Sequence, residues 1–248
     1  MPYALDLDGV IWLADDPIPG AAEAVARLQG TGEAVVFVTN NSNQPVAAVE
    51  AKLAHHDVAA AGAVITSAMA AGHLLQPGER VLVCGGPGVV EAIEARGAVP
   101  ITEGDADAVL VGFHREFDYE RMRIAASAVR RGARLLATND DATYPTPAGP
   151  IPGGGAILAS IVTATGVAPI VAGKPHEAMA VLVRDRLGAS GVMVGDRPDT
   201  DGRFARVLGF DFALVHTGVT TAAEVVEPRP ALVAPDLSAL VDQLLGGA

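Results

Sequence analysis

Cysteine is nearly absent from the sequence. Among 248 residues only Cys84 carries a thiol, which excludes an internal disulfide and a metal cluster held by several thiolates. The chain is therefore not a disulfide-stabilised scaffold. A single cysteine fits a protein of a reducing compartment.

The sequence also lacks a long apolar run. No segment reaches the roughly 18 uncharged apolar residues that a membrane-spanning helix needs. The first residues, Met-Pro-Tyr-Ala-Leu-Asp, carry no basic stretch ahead of an apolar one. We therefore predict a soluble, cytoplasmic protein that has no membrane partner.

Positive charge is scarce as well. Lysine and arginine total 17 against 29 aspartate and glutamate residues, which gives a formal net charge of -12. This charge repels nucleic-acid backbones and anionic lipid surfaces, so neither is an expected partner. A small phosphorylated metabolite remains compatible, because a bound divalent cation can reverse the sign of the local field inside a cleft.

Aliphatic side chains, in contrast, are abundant. Hydrophobic residues make up 50% of the chain and charged residues 19%, a composition that excludes intrinsic disorder. Short β-branched or aliphatic runs alternate with alanine-rich segments of helical period, beginning with a strand at 3–7, a helix at 20–29 and a strand at 34–38. This alternation predicts an α/β fold built on a mostly parallel sheet.

The alternation of strands and helices breaks once and then starts again. A Gln-Pro-Gly-Glu turn signal precedes a second series of strands and helices, which ends in a loop rich in proline and glycine at 144–155. We therefore predict a core formed by residues 1–78 and 169–248, with residues 79–168 as an inserted unit. The apolar pair Ile170-Val171 is assigned to the core.

Four separate segments place charged or polar residues where a predicted strand ends. The first strand ends in the segment that carries Asp6 and Asp8, and Thr39 follows the second strand. Lys174 follows the pair at 170–171, and Asp196 follows the strand at 192–194. Ligands of an open parallel sheet bind outside the carboxyl ends of its strands. We therefore expect these side chains to converge.

The close pair of carboxylates predicts a metal ion. Asp6 and Asp8 repel each other when both are ionised, and the glycine after them lets the chain turn so that both face one ligand. Mg²⁺ typically binds one or two carboxylates together with waters and phosphate oxygens. Because Thr39, the N–H groups after it and Lys174 would donate to a phosphate, the sequence predicts a Mg²⁺-dependent phosphoryl site.

Four motifs in this order resemble those of the haloacid dehalogenase superfamily. They are Asp6-Leu7-Asp8-Gly9-Val10, Thr39-Asn40-Asn41-Ser42, Gly173-Lys174-Pro175 and the segment from Val194 to Asp201. The sequence is most similar to subfamily IIA, the NagD-like or p-nitrophenylphosphatase branch. The resemblance implies a Rossmann-like doubly wound parallel sheet as the core, with an inserted α/β cap domain of the C2 type.

The resemblance also implies a phosphatase mechanism. Asp6 would attack phosphorus to form an aspartyl-phosphate, and Asp8 would act first as general acid and then as general base. Mg²⁺ would be held by the carboxylates of Asp6 and Asp196 and by the backbone carbonyl of Asp8.

The other motif residues would bind the substrate or orient its ligands. The Thr39 hydroxyl and the Asn40 N–H would contact the phosphoryl oxygens, and Asn41 would contact the substrate. Lys174 would offset negative charge on the nucleophile and the phosphate, while Asp201 would orient metal-bound water or Lys174.

The inserted cap is expected to select the substrate. Its loop from Asn139 to Pro147 is the predicted selector, and the same residues could equally form a solvated loop. The substrates implied are phosphate monoesters of the sugar, glycerol, glycolate or nucleoside monophosphate type. The sequence does not choose among them, and it leaves open whether the chain forms a homo-oligomer.

Two alternative functions use the same residues. A phosphotransferase or mutase would pass the phosphoryl group to another hydroxyl instead of to water. A phospho-receiver-like switch would keep its aspartyl-phosphate for longer, but such modules are typically about half this length and lack the second acid and the large insertion.

Two further features near these motifs have simpler interpretations. Trp12 follows the first motif and either lines the cleft or covers the core. Gly85-Gly86-Pro87-Gly88 imitates a phosphate-binding loop but lacks the Gly-Lys-Ser/Thr ending, so we interpret it as a turn.

Overall fold

The computed structural model describes residues 1–144, 146, 149–220 and 227–246. The chain divides into two compact units, each described here by itself. Unit 1 comprises Met1–Thr39, Ala47–Ile65 and Lys174–Ala248, and unit 2 comprises Asn40–Val46 and Thr66–Gly173. The sequence-based division assigns residues 66–78 and 169–173 to the core, whereas the structure groups them with unit 2.

Strands and helices alternate along most of the chain. In chain order the strands are β1 (Tyr3–Leu5), β2 (Trp12–Leu13), β3 (Asp16–Pro17), β4 (Val35–Thr39), β5 (Val64–Thr66), β6 (Arg80–Cys84), β7 (Val99–Ile101), β8 (Ala108–Val111), β9 (Arg134–Ala137), β10 (Thr143–Tyr144), β11 (Ile151–Pro152), β12 (Ile170–Val171), β13 (Val192–Gly195), β14 (Asp211–Val215) and β15 (Leu232–Ala234). The helices are α1 (Ala21–Gly30), α2 (Val46–His55), α3 (Ser67–Gly72), α4 (Pro87–Ala95), α5 (Tyr119–Arg130), α6 (Gly154–Thr165), α7 (Glu177–Leu187), α8 (Arg203–Leu208) and α9 (Leu237–Gly246), with a π-helical turn at Pro198–Gly202. This order confirms the predicted α/β class.

The first sheet has its strands in the order β15-β14-β13-β1-β4-β5. Strand β1 pairs in parallel with β4 on one side and with β13 on the other. The strand order therefore reverses at β1, and ligands of such sheets bind at the carboxyl ends beside this point. Asp6 directly follows β1, Thr39 ends β4 and Asp196 directly follows β13.

The strands next to the site are buried on both faces, which explains their sequence. Strand β4 reads Val-Val-Phe-Val-Thr and every one of its residues is buried. Continuous apolar runs of this kind are typical of parallel strands that are covered on both sides. Helix α1 buries Ala21, Ala24, Val25 and Leu28, the spacing of one helical face.

Unit 2 contains a second parallel sheet, in the order β12-β9-β8-β6-β7. Helices α5 and α6 pack against it and bury residues such as Ala125 and Ile161 with Leu135 of β9. The pair Ile170-Val171 forms the edge strand of this sheet, in register with Leu136 and Ala137.

The assignment of Ile170-Val171 to the core is thus wrong, because the pair belongs to the sheet of unit 2. Helix α6 ends at Gly166 in the left-handed conformation, and the short segment after it returns the chain alongside β9. A two-residue strand carries too little pattern to reveal its partner, because pairing is a tertiary property.

Among the described residues, no helix combines the length and the apolar character needed to cross a membrane.

Candidate active site

Lys174 lies between two aspartates in unit 1. Its Nζ is 2.8 Å from Asp6 Oδ1 and 2.7 Å from Asp201 Oδ1, and its side chain is only 2% exposed. Burial alone would lower the pKa of Lys174, but the carboxylates of Asp201 and Asp6 outweigh burial and raise it above its usual value. The ammonium is therefore a fixed positive charge and not a base.

Asp6 has a fixed orientation at the end of β1. Its backbone N–H donates to the Val194 carbonyl at 2.9 Å, and its Oδ1 accepts from the Leu7 N–H at 2.8 Å. Burial raises the pKa of Asp6 to about 6, although Lys174 acts in the opposite direction. Oδ1 thus has two donors, Lys174 Nζ and the Leu7 N–H, which orient the carboxylate as an attacking group requires.

Asp196 is the acidic residue with an unsatisfied oxygen. Its Oδ2 accepts from the Val219 N–H at 2.6 Å, whereas its Oδ1 is buried and has no hydrogen-bond partner among the described residues. Burial raises the pKa of Asp196, and the nearby Asp201 carboxylate raises it further. A buried carboxylate oxygen without a donor is costly, and a cation would satisfy it.

The acidic cluster fits a hard divalent cation. Carboxylate oxygens of Asp6, Asp196 and Asp201 lie within 4.8 Å of one another, and oxygen ligands of this kind suit Mg²⁺. Three carboxylates around one ammonium leave excess negative charge, so Lys174 offsets only part of the cost of burying these groups. The donor set and the orphaned Asp196 Oδ1 therefore both match the predicted metal.

Asp201 differs from Asp196 because both of its oxygens have donors. Oδ1 accepts from Lys174 Nζ, and Oδ2 accepts from the Arg197 N–H at 3.1 Å. Burial and the Asp6 carboxylate raise the pKa of Asp201. This arrangement orients Lys174, which is one of the two roles that the resemblance implies for Asp201.

Asp8 faces a different partner from Asp6. Its Oδ1 accepts from the indole Nε1 of Trp12 at 3.1 Å, and Gly9 turns the chain between them with a φ of 83°. Burial raises the pKa of Asp8. The hydrogen bond from the indole acts in the opposite direction, because it favours the charged form. Asp8 and Asp6 thus have different side-chain partners, Trp12 and Lys174.

A loop after β14 contacts Gly9 and Asp196. Thr217 Oγ1 donates to the Gly9 carbonyl at 2.5 Å, and the Val219 N–H holds Asp196. A Cβ on Gly218 would lie 2.5 Å from Asp196 Cγ, which only glycine avoids. The resemblance covers His216-Thr217-Gly218-Val219, but the sequence argument gave this segment no role.

The structure places the residues of the second motif in two units. Thr39 is buried at the end of β4 in unit 1, at the same carboxyl edge as Asp6. Asn40 and Asn41 belong to unit 2: Asn40 Nδ2 donates to Asp141 Oδ2 at 2.8 Å, and Asn41 Oδ1 accepts from the Asn43 N–H at 3.0 Å. The contact of the Asn40 N–H with a phosphoryl group and that of Asn41 with the substrate stay predictions.

The described residues of the predicted selector loop make hydrogen bonds and a ring contact within unit 2. Asn139 Nδ2 donates to Asp141 Oδ2 at 2.8 Å, the oxygen that also accepts from Asn40, and the Tyr144 ring stacks on Phe113 with centroids 5.1 Å apart. Pro145 and Pro147 lie outside the described residues. The selector role of this loop stays a prediction.

Sequence comparison identifies the family. Residues 3–99 match the model of the haloacid dehalogenase-like hydrolases, and residues 171–240 match a second model described as HAD-hydrolase-like. The acid sugar phosphatase of Staphylococcus saprophyticus is 34% identical over 253 residues, which cover 98% of this chain and 97% of that protein.

Solved structures agree with the sequence comparison. The p-nitrophenyl phosphatase from Archaeoglobus fulgidus has a TM-score of 0.91 at 30% identity and covers 98% of this chain and 98% of its own. The glycerol phosphate phosphatase from Mycobacterium tuberculosis in complex with magnesium has a TM-score of 0.87 at 34% identity, over 96% of this chain and 76% of its own.

The chain therefore belongs to the haloacid dehalogenase-like hydrolase family, which confirms the resemblance inferred from its motifs. Within that family it is an enzyme of the phosphatase class.

Proposed function

We propose that this protein is a Mg²⁺-dependent phosphatase that hydrolyses small phosphate monoesters through an aspartyl-phosphate on Asp6. The observation that carries the proposal is the buried contact of Lys174 with Asp6 and Asp201, beside the orphaned Asp196 Oδ1. This arrangement provides an oriented nucleophile, a fixed positive charge and an oxygen that requires a cation. The sugar and glycerol phosphates named for the relatives support the substrate class.

In the first step a carboxylate oxygen of Asp6 attacks phosphorus, and the bond between phosphorus and the ester oxygen breaks. Protonated Asp8 gives its proton to the departing alkoxide, which leaves as an alcohol. The raised pKa of Asp8 supports this role, because it increases the protonated fraction of the acid.

In the second step water attacks the phosphorus of the aspartyl-phosphate. Ionised Asp8 accepts a proton from this water, and the bond between phosphorus and the Asp6 oxygen breaks to release inorganic phosphate. Asp6 is then a carboxylate again and Asp8 a carboxylic acid, so both groups are ready for another cycle.

The other side chains bind and orient the phosphoryl group. Lys174 offsets the negative charge of Asp6 and of the incoming phosphate, and Asp201 keeps the ammonium in place. The Thr39 hydroxyl and the Asn40 N–H donate to phosphoryl oxygens, where charge builds in the transition state. Mg²⁺, held by the Asp6 and Asp196 carboxylates and the Asp8 carbonyl, would supply further charge neutralisation and orientation.

A phosphate-release screen tests the proposal. We expect the purified protein to release inorganic phosphate from sugar, glycerol, glycolate or nucleoside monophosphates when Mg²⁺ is present. Chelation with EDTA should abolish release, and added Mg²⁺ should restore it, because the carboxylate cluster then regains its cation. Activity that persists after chelation would contradict the assigned ligands.

The same assay separates the two alternative functions from hydrolysis. A phosphotransferase would form a phosphorylated acceptor when sugars or glycerol are added, and product analysis would detect it. A receiver-like switch would hold its aspartyl-phosphate for minutes or longer, which rapid acid quenching would detect. We expect free phosphate as the product and an intermediate that decays within seconds.

The glycine beside Asp196 provides a more specific prediction. Gly218→Ala should raise the Mg²⁺ concentration needed for half-maximal activity by about 10- to 100-fold, because the added methyl group displaces the Asp196 carboxylate. Gly30→Ala is the matched control, since a Cβ there meets nothing within 4 Å. A Mg²⁺ titration of phosphate release compares the two, and equal midpoints would exclude this role of Gly218.

A further inference from the structure

We infer that Trp12 is a positioning residue for Asp8: its indole N–H holds one carboxylate oxygen and leaves the other to exchange a proton with the substrate. This inference rests on the proposed function, in which Asp8 is the general acid. The sequence left open whether Trp12 lines the cleft or covers the core. The structure shows a residue that is buried and also bonded to Asp8.

The hydrogen bond itself is the first observation. Trp12 Nε1 lies 3.1 Å from Asp8 Oδ1, and Trp12 is only 4% exposed. A hydrogen bond to an ionised carboxylate is stronger than one between neutral groups. Because a buried indole has only two side-chain torsions, it fixes the carboxylate more firmly than water would.

The backbone around Trp12 sets the position of its ring relative to Asp8. The Gly9 N–H donates to the Trp12 carbonyl at 2.7 Å, and the Trp12 N–H donates to the Leu7 carbonyl at 3.3 Å. The Trp12 N–H and carbonyl therefore both bond to residues that flank Asp8, Leu7 and Gly9. The indole and the carboxylate are parts of one turn, so they move together.

Lys52 holds the ring from its face. Its Nζ lies 4.4 Å from the indole centroid, and the Ala14 carbonyl at 2.5 Å and Asp15 Oδ1 at 3.1 Å anchor the ammonium. A cation over an aromatic face is attracted by the ring quadrupole. It also withdraws electron density from the indole, which strengthens the N–H as a donor to Asp8.

Leaving-group chemistry distinguishes positioning from a structural role. An alkoxide leaves slowly unless an acid protonates it, whereas p-nitrophenolate is a weak base and leaves without much help. The ratio kcat/KM reports steps up to the first irreversible one. A residue that positions the general acid therefore affects kcat/KM for an alkyl phosphate more than for p-nitrophenyl phosphate.

The test is Trp12→Phe, which keeps a buried ring and removes the N–H. We expect kcat/KM for glycerol phosphate, or for the best alkyl ester of the screen, to fall by at least about tenfold. The loss for p-nitrophenyl phosphate should be about threefold or less. Lys52→Met should change both values in the same direction by a smaller factor. In an Asp8→Asn background, Trp12→Phe should cause no further loss.

A second measurement does not depend on activity. Trp12 is the only tryptophan in the chain, so its indole N–H gives a single resonance in a ¹⁵N-correlated spectrum of the full-length protein. We expect Asp8→Asn to shift this resonance upfield while the melting temperature stays close to the wild-type value. An unmoved resonance would overturn the inference even if Trp12→Phe failed to fold.

The outcomes also separate the inference from the proposed function. Equal losses on the two esters, or no loss on either, would overturn the positioning role and leave the phosphatase proposal intact. A wild-type protein that releases phosphate from neither ester would overturn the proposed function, and the inference would fall with it.

Discussion

Asp6→Asn should reduce the rate of phosphate release by at least about a thousandfold, because it removes the attacking oxygen of the reaction. The amide has nearly the same shape, and its oxygen can still accept from the Leu7 N–H that now bonds Oδ1. The substitution also removes one carboxylate from the buried cluster of Asp6, Asp196 and Asp201, in which like charges oppose one another. The melting temperature should therefore stay unchanged or rise.

Asp199→Asn is the matched control for this experiment. Asp199 lies in the fourth motif, only two residues from Asp201, but it is exposed and bonds only Arg197 at the surface among the described residues. Initial rates under identical Mg²⁺ and substrate conditions should be close to wild type for Asp199→Asn. Retention of more than a few per cent of activity by Asp6→Asn would show that another group is the nucleophile.

Lys174→Met should have the largest effect on stability. Without the ammonium, Asp6 and Asp201 keep buried carboxylates that face each other with no positive charge between them. Removal of one partner from a buried ion pair typically costs about 3–5 kcal/mol. Urea denaturation should show a loss of this size, and phosphate release should be abolished because the fixed charge beside the nucleophile is gone.

A double variant separates these two effects. Adding Asp201→Asn to Lys174→Met removes one of the opposed carboxylates, so it should recover part of the stability and none of the activity. Arg27→Met is the comparison, because it breaks an exposed pair with Asp242 and should cost about 1 kcal/mol or less. If Lys174→Met were as mild as Arg27→Met, the buried ion pair would contribute little to folding.

The fold class could be predicted because it depends on patterns that are local in sequence. The run Val35–Val38 has the continuous apolar character of a covered parallel strand, and α1 shows the spacing of a single buried face. Asp6 and Asp196 could be placed at strand ends for the same reason. That β1 and β13 are neighbours is a tertiary fact, which here came from the resemblance of the motifs and not from periodicity.

The features that sequence reasoning missed depend on where particular atoms meet in space. The strand at 170–171 is too short to indicate its sheet. The Val219 N–H that donates to Asp196 is a backbone group, and every chain has many such groups. The Trp12 indole that donates to Asp8 belongs to a residue type that usually packs in the core. The contact of the Asn40 N–H with a phosphoryl group, the contact of Asn41 with the substrate and the cytoplasmic location stay predictions.

The two lysines of the chain have very different access to solvent, and this has a practical consequence. Lys174 is buried, with 2% exposure. The Lys52 side chain lies over the Trp12 ring and is about one-third exposed. A water-soluble acylating reagent would therefore modify Lys52 and spare Lys174. Acylation removes the charge above the ring. With Trp12 in the positioning role inferred above, attachment through lysine should lower activity, and a thiol introduced at an exposed position is the better site for a tag.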